Sequence, residues 1–184
     1  MPVDLAAPAA PVLARFTPSE AGQAALGSAQ SVAQAIGQLA DGQHWPDALH
    51  LLAHALPKRD AVCWAWSCAT SVPAPAAQEQ TRALASAQQW LKQPEDACRR
   101  GAFSLAEAAG FDSAAASVAL AVFWSGASIS AADEPEVLPF DHLCHHAAGC
   151  AVQLAGLSQP ERTLDLYRQF IMLGSEIAAG KRVC

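Results

Sequence analysis

The chain has 184 residues, with 11 Lys and Arg against 17 Asp and Glu, and a formal net charge of −6. At about 100–200 residues per domain this is one domain, and its 52% hydrophobic and 15% charged residues exclude a disordered chain, which lacks the apolar surface to build a core. The acidic balance argues against general nucleic-acid binding, because such affinity rests on Lys and Arg neutralising phosphates.

Residues 1–18 are rich in Pro and Ala, with Asp4 and Arg15 the charged side chains before the first helix signal. Pro2, Pro8 and Pro11 interrupt any apolar run, so the segment reads as an extended, mobile tail rather than a signal peptide. From residue 19 to 184 the punctuation by Pro and Gly divides a single helical domain. The spacing predicts a helix from Ser19 or Glu20 toward Leu39, ending near Gly42. A second runs from Trp45 to Leu56, with Pro46 and Asp47 in its first turn and Pro57 behind it. A third spans Lys58 to Ser71, followed by the connector Val72-Pro73-Ala74-Pro75. Ala76 to Gln93 forms the next, and Pro94, Glu95 and Asp96 open another. Ser104-Leu105-Ala106-Glu107 has the capping-box pattern of a short helix that Gly110 closes. Ser113 to Trp124 follows, then the acidic loop Ser128 to Pro139. Helices over Phe140–Leu157 and Pro160–Ala179, closed by Gly180, finish the chain. No stretch alternates with period two, so the expected fold is an all-α single-domain bundle of about seven or eight helices, with short connections that allow stacked helical hairpins.

The six cysteines, Cys63, Cys68, Cys98, Cys144, Cys150 and Cys184, read as reduced thiols of a cytoplasmic protein, since four lie in Ala-rich helical stretches and a core of this size needs no staples; the lack of a CxxC pair removes the usual zinc and thioredoxin-like readings. The longest uncharged run, Ser113 to Ala132, is rich in Ala and Ser and is read as a core helix, not a membrane span. The pattern around Gly110 is similar to a helix-turn-helix, yet its second helix offers Ala, Ser and Val where base recognition needs Arg, Lys, Asn or Gln. No GxSxG, SxxK, GxxxxGK[ST] or GxGxxG pattern is present, and an enzyme is not expected. Neither catalytic residues nor a bound cofactor are assigned.

Two histidine groups remain. His50 and His54 stand one helical turn apart, and His142, His145 and His146 surround Cys144, with Cys150 four residues beyond His146. An i, i+4 spacing can place two ligands on one side of a metal. A metal site or an enzyme would require the two groups to converge; the ordinary alternative is polar packing beside the core. The helix Lys58–Ser71 sets Trp64 and Trp66 about 200° apart on the helical wheel, which suits a central helix, or one aromatic anchor for a partner. Lys58 and Arg59 face the positive end of that helix without a capping residue before them, a broken local rule for which either Asp60 and solvent compensate or an anionic partner group binds at the helix start.

Three stretches, Ala48 to Ala65, Ala106 to Gly126, and Tyr167-Arg168-Gln169-Phe170 with Glu176 to Gly180, resemble a family of small uncharacterised helical proteins of Gram-negative bacteria, some encoded among type VI secretion genes. The resemblance covers roughly residues 45 to 180. Its motifs, Leu56-Pro57-Lys58-Arg59 before a Trp helix and Phe123-Trp124-Ser125-Gly126 at a helix end, are structural in character. It implies an accessory or adaptor protein that binds a secretion-system component or effector. Lys58, Arg59, Trp64 and Trp66 are its interface candidates. The second expectation is an immunity protein whose acidic loop, with Asp133, Glu134 and Glu136, meets a basic toxin. The third is a metal-binding or enzymatic protein built on the histidines. Neither nucleic-acid nor membrane binding is expected, and the sequence leaves the oligomeric state open.

Overall fold

The computed structural model describes residues 2–73, 77–130 and 133–184. Among these the chain is all-α, with ten α-helices and one 3-10 turn. They are α1 Ala10–Leu13, α2 Glu20–Ala25, α3 Val32–Asp41, α4 Trp45–Ala55 and α5 Lys58–Ser71, then α6 Gln78–Lys92, α7 Asp96–Ala109, α8 Ala114–Phe123, α9 Leu143–Leu157 and α10 Thr163–Ala178, with the 3-10 turn Pro160–Arg162 leading into α10. The predicted helix start at Ala76, and Ala74 and Pro75 of the connector, lie outside the described residues.

The bundle is built around α9, which packs against α4, α5, α8 and α10. On the other side α8 joins α7, α6 and α5. Small residues set these distances: Ala147, Ala148, Gly149, Ala151 and Ala155 are the buried face of α9. A Cβ on Gly149 would lie 2.5 Å from His50 Nδ1, and one on Gly174 would lie 2.6 Å from a Leu52 methyl, so α9 and α10 can approach α4 only as glycine. Trp64 has no exposed surface, and its Nε1 donates to the Phe170 carbonyl across α10 at 2.8 Å. The core therefore satisfies its largest polar handle, as a buried indole requires.

The structure departs from the sequence expectations at four places. Seven or eight helices become ten, partly because the helix expected from Ser19 to Leu39 is two. Gly27 takes φ +45° and Ser31 starts α3 with a complete capping box to Gln34, a Ser-x-x-Gln signal stronger than the apolar spacing that ran across it. Conversely, the helix expected to open at Ser104 is the second half of α7. Gly101 alone does not break it, its cost of roughly 1 kcal/mol being too small against the burial of Ala102 and Ala106.

Residues 2–18, expected as a mobile tail, lie against the domain. Leu5 and Ala7 carbonyls accept from Ala33 and Val32, Ala9 N–H donates to Gln30, and Val3 N–H reaches Ala178 at 2.7 Å; Ala9 and Val12 are buried. The cysteine reading also changes. Cys63 and Cys184 form a disulfide, 121 residues apart in sequence, while Cys68, Cys98, Cys144 and Cys150 are free thiols. With one bridge present, the thiol argument for a reducing compartment falls away. Among the described residues no helix is long and apolar enough to cross a membrane.

Candidate functional site

The two histidine groups converge. Helices α4 and α9 run antiparallel, so the His50 end of α4 faces Gly149 and Cys150 while its Leu56 end faces His145. The rings pair across the interface: His50 with His146 at 4.9 Å between centroids, and His54 with His145 at 5.4 Å. Phe16, from the segment after α1, stacks on both His50 and His54 at 5.8 and 5.3 Å. That segment thus covers one side of the imidazole cluster.

The rings differ in how they are satisfied. His54 Nδ1–H donates to the His50 carbonyl at 2.9 Å. His145 Nε2–H donates to the Leu56 carbonyl at 3.1 Å, with Nδ1 3.3 Å from the Asp141 carbonyl. These two rings are structural ties that close the end of α4. His50 is buried, yet its Nδ1 has no partner and its Nε2 has only the Cys150 sulfur at 4.0 Å. One ring nitrogen each of His50 and His146 and the Cys150 sulfur lie within 4.8 Å of one another. Burial, with the nearby His146 and His54 rings, lowers His50 from its ordinary 6.5 to about 4. Burial likewise brings His54 to about 4 and pushes the Cys150 thiol up. The imidazoles are therefore neutral near pH 7. His146 and Cys150 open onto a cleft of about 450 Å³ that Phe111, Ser117, Leu120 and Trp124 also line. His142 is exposed, stacked on Phe140 at 5.8 Å, and stands outside the cluster.

A second constellation lies at the far end of α8. Arg99 of α7 is only 3% exposed. It donates to the Phe123 carbonyl at the end of α8 and to the Ser128 carbonyl, both at 2.7 Å, and to Asp96 at 2.8 Å. Arg100 adds bonds to Asp96 and to the Ser130 carbonyl, and both arginines hold the Asp96 carboxyl below its ordinary range. Gly126 gives the guanidinium its room: a Cβ there would lie 2.3 Å from Arg99 Nε. The loop after α8 closes on itself, with Ile129 N–H donating to Val137 at 2.8 Å and Ser130 Oγ to Pro135 at 2.7 Å. Beyond this closure, Val137, Leu138 and Phe140 stand out at 51%, 66% and 75% exposure, beside exposed Asp133, Glu134 and Glu136.

The remaining interface candidates are placed less favourably. Trp64 is sealed in the core. Trp66 is half-buried against α6, its Nε1 donating to Leu84 at 3.1 Å. The Arg59 guanidinium donates to the Leu91 carbonyl in the last turn of α6, so it neutralises a helix C-terminus, and the uncapped start of α5 has a local explanation. Lys58 is half-buried beside it. Sequence reasoning passed over Arg99 and Phe16, whose signals were a lone Arg pair and one aromatic in a Pro-rich segment. The apolar triplet Val137, Leu138 and Phe140 was visible as large hydrophobics without periodicity in a loop. Helix α8 is buried on most sides, and its Ser117 and Leu120 line the cleft beside His146.

Residues 35–178 match a family of unknown function, DUF6931, a span that starts in α3 and ends with α10. No curated protein and no solved structure matches the chain.

Proposed function

The chain belongs to DUF6931, a family of unknown function, and we propose that it acts without catalysis, as an accessory or adaptor protein that binds another protein. The observation that supports this most is the loop 133–140. Three large apolar side chains, Val137, Leu138 and Phe140, are each exposed within four residues of a segment that is itself pinned through Ser128 and Ser130 to Arg99 and Arg100. Singly exposed hydrophobics need no explanation, whereas a cluster held in place is the pattern of an interaction site. The adjacent Asp133, Glu134 and Glu136 suit a partner with a basic rim around an apolar pocket. A pre-ordered loop loses little conformational freedom on binding, which favours affinity. The resemblance to proteins encoded among type VI secretion genes of Gram-negative bacteria supports a secretion-system component or effector as that partner. The same acidic loop supports the second reading, an immunity protein that caps a basic toxin.

The test is affinity isolation of the tagged chain from its host, run beside a Leu138→Ser/Phe140→Ser double variant of matched stability. A partner recovered with the wild type and lost with the variant is the expected result. Sheath, baseplate, spike or effector proteins favour the adaptor, and one small basic toxin favours immunity. A partner retained by the variant removes the loop from the interface, and recovery of the chain alone from several mild buffers overturns the binding reading.

A further inference from the structure

We propose that His50, His146 and Cys150 form a binding site for a divalent transition-metal cation of the zinc type, with two imidazole nitrogens and one thiolate as ligands and one coordination position turned to the Trp124 cleft. The donor set is the first ground. Imidazole and thiolate suit zinc and its d-block neighbours, whereas magnesium and calcium take oxygen ligands. Three protein ligands with an open fourth position is the arrangement of sites that accept water or an exogenous ligand.

Geometry is the second ground. The three ligand atoms lie within 4.8 Å of one another, with His50 Nε2 4.0 Å from the Cys150 sulfur. Bonds of about 2.0 Å to nitrogen and 2.3 Å to sulfur place neighbouring ligands about 3.5 Å apart in a tetrahedron, so closure by up to about 1.3 Å is needed. The side chains that must move are the free ones: His146 is exposed and Cys150 half-buried. His50 is the fixed wall, with Phe16 on its face and Gly149 beneath it.

The third ground separates this ring from its neighbours. His54 and His145 use their nitrogens on backbone carbonyls. His50 Nδ1 is one of three buried side-chain polar atoms without a partner among the described residues, and no oxygen meets its Nε2. The Nε2 lone pair, which faces only the Cys150 sulfur, is the one open to an ion, and Nδ1, held against Gly149, then carries the ring proton. The nearest carboxylate of α4, Asp47, is occupied by the Ser19 N–H and hydroxyl at 2.9 and 2.6 Å, so the ligand set is two nitrogens and a sulfur. Binding forms two metal–nitrogen bonds and one metal–sulfur bond and breaks the Cys150 S–H bond, whose proton leaves to solvent.

The experiment titrates metal-stripped full-length protein, with its Cys63–Cys184 disulfide intact, with Zn2+ in a calorimeter and with Co2+ in a spectrophotometer. One equivalent is expected to bind, and Co2+ is expected to give a thiolate charge-transfer band. Cys150→Ser abolishes that band, and Cys150→Ser or His146→Ala raises the Zn2+ dissociation constant at least ~10–100-fold, the loss that even outer hydrogen-bond partners of metal ligands produce. His146 is exposed and Cys150 only half-buried, so these variants remain informative if His50→Ala fails to fold. His142→Ala leaves binding unchanged. The absence of stoichiometric Zn2+ binding, a Co2+ complex without the thiolate band, or affinity that survives Cys150→Ser and falls with His142→Ala would each overturn the site.

Discussion

Arg99 is the residue on which two parts of the fold depend. Its three recipients, the Phe123 and Ser128 carbonyls and Asp96, are a helix end, a loop base and its own helix start. Arg99→Met keeps the bulk and deletes the donors, leaving buried carbonyls unpaired. A loss of roughly 3 kcal/mol is expected, measured by urea denaturation, together with faster proteolysis inside 128–140. A variant as stable and as protease-resistant as the parent would show that the loop is held by other contacts. The histidines give a second residue-scale prediction. Unfolded, each ring titrates near 6.5, whereas folded His50 and His54 titrate at about 4. Above 6.5 neither state binds the protons; between 6.5 and 4 the unfolded chain binds them and the folded one does not. Metal-free protein therefore loses stability as pH falls from 7 toward 5, by up to ~3 kcal/mol per ring by the bottom of the window, less than additively because the rings interact. The denaturation midpoint against pH checks this, and a flat profile from 7 to 5 contradicts it.

Among the elements, α5 ran from Lys58 to Ser71 as its sequence implies, because Pro57 and Pro73 bracket it and an unbroken apolar run lies between. α4 and α8 were legible for similar reasons, the first from Pro46 and Pro57, the second from the Ser113 cap that accepts from Ala116 N–H. The errors came where two signals competed: before α3 the Ser31 capping box overrode the apolar spacing, and at Ser104 the burial of Ala102 and Ala106 overrode a capping-box pattern. The site was half legible. Spacing marked His50 with His54, and His146 with Cys150, as helix neighbours, but their meeting depends on α9 lying antiparallel on α4, which no periodicity encodes. That contact rests on Gly149. Gly149→Ala drives a methyl against His50 and is expected to cost ~1–3 kcal/mol through overpacking. Chemical denaturation reads the cost, and an unchanged midpoint would mean that the two helices separate without penalty.

At the scale of the whole molecule, the Cys63–Cys184 bond ties the C-terminal segment to α5 and encloses α6 to α10 in a covalent loop. Cross-links stabilise chiefly by restricting the unfolded chain, typically by about 2–4 kcal/mol. Cys184→Ser, or reductant added to the wild type, is expected to lower the stability by that amount and to the same level. Indifference of the wild type to reductant would show that the bridge contributes nothing in solution. The tryptophans have a different consequence. Trp45, Trp64 and Trp90 are buried and Trp66 is bonded to α6, while Trp124 borders the cleft shared with His146 and Cys150. The indole emission of the protein therefore divides into a shielded majority and one fluorophore at the mouth of the cleft. Whatever enters there announces itself as a change in quenching, with no label attached.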